Sequence, residues 1–111
     1  MSIESTEPSN EAQRRGHMAA LAASEHVGSV APSLPMEITV RCAPWGEPPE
    51  IRAFFYQSAE GVRALAQVLG FEVTTESRGQ DGTELYVSAT GSVRGIEFEA
   101  WTLVDSAAAV R

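Results

Sequence analysis

The sequence has no lysine, a single cysteine and only two histidines among its 111 residues. Cys42 has no second cysteine to pair with, which excludes an intramolecular disulfide and favours a reducing compartment such as the cytoplasm. His17 and His26 both lie near the N-terminus, so a nucleophile–histidine triad in the rest of the chain would lack its base. These shortages argue against a disulfide-stabilised fold and predict a protein that is not an enzyme.

Long apolar runs are also missing. The apolar stretch Met18–Ala23 is far shorter than the roughly 20 residues of a membrane-spanning helix. Three glutamates precede it, and Glu25 and His26 follow directly, which does not fit a secretory signal peptide. We therefore expect no membrane segment and a cytoplasmic location.

Basic residues are outnumbered, with eight arginines against 15 acidic side chains and a formal net charge of −7. An acidic protein repels phosphate backbones, and no arginine cluster is longer than Arg14–Arg15, so nucleic-acid binding is disfavoured. The absence of lysine, with abundant alanine, glycine and valine, is typical of a GC-rich coding sequence. This favours a bacterial or phage origin.

The first 35 residues are predicted to form a flexible or partly helical arm and linker. Residues 1–9 have no hydrophobic period. Asn10 with Gln13 resembles a helix start, and an alanine-rich helix is expected from Glu11 to about Glu25. Residues 27–35 are typical of a flexible linker. The expected apolar side of this helix consists of Ala12, Met18, Leu21 and Ala22.

The folded domain is predicted over residues 36–105, followed by a tail at 106–111. Residues 36–42 alternate apolar and polar side chains, which predicts a half-buried strand. Residues 50–56 fit either a strand or the start of a helix, and the strand is favoured because three aromatics occur in a row. A helix is expected over 59–69, beginning after Ser58 and ending at Gly70.

Three further strands are predicted at 71–76, 83–90 and 93–104. Asp81-Gly82 and Gly91-Ser92 have the composition of tight hairpin turns. A turn at Gly91-Ser92 would place Glu84 directly opposite Glu99, a costly pair of like charges that Arg41 or Arg52 on the same face could neutralise. The order β-β-α-β-β-β predicts a two-layer α+β fold, an antiparallel sheet of about five strands with one helix on one face.

Aromatic side chains are expected on the sheet face opposite the helix, together with a loop tryptophan. Such residues on an acidic surface are typical of a partner-binding site. Either the N-terminal helix covers this face or another molecule does. The candidate partner-binding residues are Trp45, Phe54, Tyr56, Tyr86, Trp101 and Leu103.

Several carboxylates are expected on the same outer face, namely Glu72, Glu76, Glu84, Glu97 and Glu99. No catalytic residue, metal ligand or cofactor is predicted. The favoured hypothesis is a non-enzymatic interaction module that serves as an accessory or regulatory protein of a bacterium or phage. It is expected to self-associate as a homodimer through the outer sheet face or the edge strands, with or without another protein partner. The alternatives are an acidic inhibitor or nucleic-acid mimic that binds a basic partner, and a small-molecule binder with a pocket between helix and sheet.

Overall fold

In the computed structural model, which describes residues 10–42, 48–79 and 81–106, a five-stranded sheet packs against two helices. The α+β fold and its order of elements within the domain are as predicted. The helices are α1 (Asn10–Val30) and α2 (Ala59–Leu69), and the strands are β1 (Glu37–Arg41), β2 (Glu50–Phe54), β3 (Val73–Arg78), β4 (Glu84–Val93) and β5 (Ile96–Asp105).

The strands lie in the order β1-β2-β5-β4-β3, and every neighbouring pair is antiparallel except β2 and β5. After β2, the chain crosses through α2 to the far edge and returns as the meander β3-β4-β5. The last strand therefore arrives beside β2 in the same direction. The prediction of a wholly antiparallel sheet was wrong in this one pairing, which makes the sheet mixed.

Helix α2 has the predicted bounds and caps. The Ser58 side chain accepts a hydrogen bond from the Gly61 amide at 3.0 Å, and Gly70 ends the helix in the left-handed region at φ 77°. Such caps satisfy backbone groups that the helix itself leaves unpaired. Val62 and Leu65 are fully buried, so the apolar stripe of α2 faces the sheet as expected.

The hairpin between β4 and β5 turns at Arg94-Gly95, and the predicted turn at Gly91-Ser92 was wrong. Arg94 and Gly95 both have positive φ, 50° and 82°, as a two-residue hairpin turn of the right twist requires. Gly91 lies instead within β4 under the Phe71 ring, where a Cβ atom would come within 2.2 Å of that ring. A glycine fits at this position because the Phe71 ring approaches the backbone closely, and not because the chain turns there.

The register of this hairpin differs from the predicted one by six residues. Thr90 lies opposite Glu99, and Glu84 lies opposite Asp105, so the predicted Glu84–Glu99 pair does not form. Because six is an even number, every side chain still falls on its expected face. The predicted alternation is therefore confirmed, with Val87 and Phe98 buried beneath the helices.

Helix α1 is longer than expected and joins the core. Ala20, Ala23 and Val27 are fully buried in the same apolar cluster as the inner residues of β2 and β5. The expected apolar side was wrong, because Met18 and Leu21 are 59% and 43% exposed. The alanines allow α1 to approach the sheet closely, and the linker predicted from residue 27 begins only after the helix ends.

Candidate functional site

The outer face of the sheet is defined here as the side opposite both helices, and no helix of the described residues packs on it. Helix α1 packs beside β1 and β2, and α2 packs over β4 and β5, all on the inner face. The N-terminal helix therefore does not cover the aromatic side chains. Of the two alternatives for this face, cover by the N-terminal helix was wrong. An antiparallel-dominated sheet can leave one face to solvent.

Four aromatic side chains on or beside this face form a contiguous aromatic cluster: Phe54, Tyr56, Tyr86 and Trp101. The Trp101 ring centroid lies 4.6 Å from that of Phe54 and 5.8 Å from that of Tyr86, and Phe54 lies 6.5 Å from Tyr56. These separations are those of favourable aromatic pairs. Leu103 is half-buried opposite Tyr86, and the remaining candidate, Trp45, lies outside the described residues.

Arg52, Glu99 and Tyr86 form a hydrogen-bonded network at the centre of the face. The Arg52 Nε atom donates to Glu99 Oε1 at 2.9 Å, and its Nη2 atom donates to the Tyr86 hydroxyl at 3.2 Å. That hydroxyl donates in turn to the other oxygen of Glu99. The three groups satisfy one another, which fixes the Tyr86 ring against the sheet.

The network shifts two pKa values. Burial raises the pKa of Tyr86, the hydrogen bond and charge of Glu99 raise it further, and Arg52 offsets part of the effect. Burial alone would lower the pKa of Arg52, but the hydrogen bonds and charges of Glu99 and Tyr86 together outweigh it and raise that pKa. At neutral pH the Tyr86 phenol is therefore protonated and serves as a hydrogen-bond donor.

Two arginines stack on the aromatic cluster. The Arg52 guanidinium carbon lies 4.8 Å from the Trp101 ring centroid, and that of Arg78 lies 4.0 Å from the Tyr86 centroid. Both distances are within the range of cation–π contacts. These stacked groups help to bury Tyr86 to 9% exposure, whereas Tyr56 stays 63% exposed. The cluster is thus ordered at its centre and open at the Tyr56 end.

Sequence reasoning missed Arg78 as part of the site, because the third strand was expected to end at Glu76. Arg52 was named only as a possible counter-ion for Glu84 or Glu99. The available signal was positional, since Arg78 follows the same period-two alternation as Glu76. It would have required extending the strand through Ser77.

Carboxylates surround the aromatic cluster. Strand registers place seven acidic side chains and three arginines on the outer face, a net charge of −4. Among the predicted acidic residues, Glu76, Glu84, Glu97 and Glu99 lie on these strands, and exposed Glu72 lies just before β3. Glu76 is 3.8 Å from Arg78, a loose exposed pair. The acidic rim, as the term is used here, consists of the outer-face carboxylates of the five strands, with Glu99 as its innermost member: Glu37, Glu50, Glu76, Glu84, Glu97, Glu99 and Asp105.

An open groove of about 1040 Å³ occupies the outer face near the β4-β5 hairpin. Polar and charged side chains line most of it, namely Thr39, Arg41, Glu50, Arg52, Thr90, Ser92, Glu97 and Glu99. The sequence had suggested a pocket between helix and sheet. The apolar cluster lies in that space, whereas this groove lies on the other side of the sheet.

Cys42 and the histidines lie away from the network. The Cys42 thiol is directed at the Gln13 carbonyl of α1, 3.6 Å away, and both histidines belong to α1. Across residues 10–42, 48–79 and 81–106, no three His, Cys, Asp or Glu side chains form a group that could hold a metal ion. Over the same ranges, no helix is long and apolar enough to cross a membrane.

Comparison of the chain with protein-family models, with curated proteins and with solved structures found no match.

Proposed function

We propose that this protein is a non-enzymatic interaction module whose outer sheet face binds a basic surface or segment of another protein. The observation that carries the proposal is that both helices pack on one side of the sheet. No helix of the described residues therefore covers the aromatic cluster. Arg52 and Arg78 stack on its centre, and Tyr56 at its open end is 63% exposed. Exposed aromatic groups within a polar rim are typical of protein-binding surfaces.

The aromatic cluster supplies preorganised contact area. Trp101 is held by Phe54, Tyr86 and the Arg52 guanidinium, so a partner would bind a surface whose side chains are already ordered. Ordering side chains before binding reduces the entropy lost on association. Tyr56, at the open end, is the residue expected to contribute most new contact.

The acidic rim favours a basic partner. A net charge of −4 on the outer face attracts cationic groups and repels a second copy presented face to face. We therefore rank a basic protein above self-association through this face. The lining of the groove, where Glu97 lies next to Glu50 in register, offers carboxylate acceptors for arginine or lysine side chains.

An acidic inhibitor or nucleic-acid mimic is the second candidate, favoured by the same carboxylates. It differs from the interaction module in the role of the aromatic cluster. A mimic that binds by charge loses affinity when Glu84 or Glu97 is changed to Gln but tolerates loss of Tyr56. A module that binds through its aromatics loses affinity in both cases.

Non-enzymatic function is supported by the state of the reactive groups. The phenol of Tyr86 is kept protonated, Glu99 is held by Arg52, and the Cys42 thiol faces α1.

We place the protein in the cytoplasm of a bacterium or of a phage-infected cell, where a free thiol is maintained. The third candidate, a small-molecule binder, would use the groove, and a thermal-shift screen with a metabolite panel tests it.

The proposal is tested by selecting peptides from a random library against the immobilised chain. We expect the enriched peptides to be rich in arginine or lysine. Their affinity should fall several-fold when salt is raised from about 50 to about 200 mM. Tyr56→Ser should weaken binding by about tenfold, as loss of a main aromatic contact does.

Val68→Ser is the matched control, because Val68 is also apolar and 49% exposed but lies on α2. Its affinity for the selected peptides should equal that of the wild type. Enrichment of neutral or acidic peptides would contradict the proposal. Equal losses in Tyr56→Ser and Val68→Ser would also contradict it, because the outer face would then have no special role.

A further inference from the structure

Among the described residues, no strand pairs with the outer edge of β1, and a defined set of its backbone groups faces that edge. The Phe55 amide donates to the Trp101 carbonyl at 2.9 Å, so odd-numbered residues of β2 direct their backbone groups to β5 and even-numbered ones to β1. Arg52 lies opposite Thr39, so Thr39 uses its backbone groups within the sheet. Ile38 and Val40 consequently direct their N–H and C=O groups to the open edge.

The five residues of β1, Glu-Ile-Thr-Val-Arg, are complementary to themselves in antiparallel order. When Thr39 lies on a two-fold axis, Ile38 of one copy lies opposite Val40 of the other. Glu37 then lies opposite Arg41, with opposite charges at both ends. The free groups of Ile38 and Val40 pair reciprocally in this register, giving four hydrogen bonds across the axis.

We propose that the protein forms a two-fold symmetric dimer in which β1 pairs antiparallel with β1 of a second copy, centred on Thr39. The complementary charges of Glu37 and Arg41 and the match of Ile38 with Val40 favour the same chain as the occupant of the edge. Arg41 also lies 3.6 Å from Glu50 of its own chain, in an exposed pair that leaves its other nitrogens available. Both apolar residues are half-buried in the single chain, and pairing buries them further. An exposed edge strand offers unpaired backbone groups to another chain, and a two-fold axis makes the contact self-complementary.

The dimer would contain one continuous ten-stranded sheet. Both outer faces then lie on the same side of that twisted sheet. Two aromatic clusters and two acidic rims therefore become parts of one surface. Leu34 and Met36, which are 73% and 72% exposed, lie in the segment leading into β1. Because they lie beside the new interface, the second copy would cover part of these two side chains.

Sedimentation of the full chain at concentrations up to about 1 mM tests the association, because a short edge interface is expected to be weak. We expect a reversible monomer–dimer equilibrium. Glu37→Arg should weaken dimerisation by about tenfold, since it places like charges opposite each other twice. Adding Arg41→Glu to that variant should recover most of the loss. A strict monomer throughout the range would overturn the proposal.

Cysteine cross-linking tests the register. In a Cys42→Ser background, Thr39→Cys should form an intermolecular disulfide on mild oxidation, because a non-hydrogen-bonded pair has Cα atoms about 4.5 Å apart. Thr75→Cys is the control, since Thr75 is also an exposed threonine but lies on the opposite edge strand, β3. Equal cross-linking at both positions, or none at residue 39 in a dimeric sample, would overturn the β1 register.

This inference is independent of the proposed function, because it uses the sheet edge and not the outer face. If Tyr56→Ser lost peptide binding but still formed the dimer, the proposed β1–β1 dimer would be unaffected. A Glu37→Arg monomer that still bound the selected peptides would leave the proposed function standing.

Discussion

The two faces of this sheet are built from alternate residues of the same strands, yet they are stabilised in different ways. On the inner face, the two helices cover and bury small and aliphatic side chains such as Ile51, Ala53 and Val87. On the outer face, aromatic rings, arginines and carboxylates contact one another, and neither α1 nor α2 lies above them. Burial stabilises the first face, whereas stacking and paired charges order the second.

This difference separates the residues that maintain the fold from those available for binding. Changes on the inner face remove contacts that nothing else replaces, so they act on stability. The groups at the rim of the outer face are partly solvated, so replacing them acts mainly on whatever binds there. Four substitutions, from the largest expected effect on stability to the smallest, test this division.

Leu65→Ala should have the largest effect. Leu65 is fully buried between α2 and the sheet, and removing its side chain leaves a cavity. We expect a loss of about 2–5 kcal/mol in the free energy of unfolding, measured by urea denaturation. In a domain of this size that loss is enough to populate the unfolded state. A loss below about 0.5 kcal/mol would mean that α2 does not seal the inner face.

Gly91→Ala should cost about 1–3 kcal/mol, because the new methyl group would overlap the Phe71 ring that covers Gly91. Gly28→Ala in α1 is the control, since no atom outside the helix lies within 4 Å of the added methyl group. It should stabilise the protein by up to about 1 kcal/mol through helix propensity. If Gly91→Ala were neutral, Phe71 would not pack over β4 as described.

Tyr86→Phe should cost about 1 kcal/mol at neutral pH, because it removes one hydroxyl from the network while Arg52 and Glu99 remain paired. The raised pKa of Tyr86 makes its proton stabilising in the folded state. That contribution is complete below the ordinary tyrosine pKa of about 10 and is lost as pH rises through the higher folded value.

Denaturation at a series of alkaline pH values measures this effect. The wild type and Tyr56→Phe should both lose stability above about pH 10, and Tyr86→Phe should lose less over the same interval. Identical alkaline profiles for the two tyrosine variants would show that the Tyr86 network does not form in solution.

Tyr56→Ser should have the smallest effect on stability, within about 0.5 kcal/mol, because Tyr56 is 63% exposed at the open end of the aromatic cluster. Thermal unfolding should therefore match the wild type while peptide affinity falls. A large drop in melting temperature would instead show that Tyr56 maintains the fold, and the division between the two faces would fail at this position.

Local signals in the sequence predicted much of the fold. Helix α2 was bounded correctly because Ser58 and Gly70 have unambiguous capping roles, and strand β2 followed from its aromatic and branched residues. The hairpin was misplaced because Gly91-Ser92 has turn composition, while Arg94 adopts a left-handed conformation that its side chain does not signal. The predicted face of each residue was still correct, because the register shifted by an even number of residues.

Long-range packing could not be predicted in the same way. The docking of α1 depends on Ala20 and Ala23, whose small side chains give a weak hydrophobic pattern. The parallel pairing of β2 with β5 joins segments far apart in the chain. In the candidate site, alternation placed Tyr86, Trp101 and Glu99 on one face. Their contacts with Arg52 and Arg78 required the correct strand order and register.

Solvent relaxation enhancement in NMR spectra, using a soluble gadolinium chelate, tests most directly whether the outer face is uncovered. We expect strong broadening of side-chain signals from Thr39, Tyr56 and Thr90 on or beside the outer face. Signals from Ile51, Val62 and Val87 on the inner side should remain sharp. Protection of the first group with broadening of the second would place the helices on the other side of the sheet and contradict the proposed binding surface.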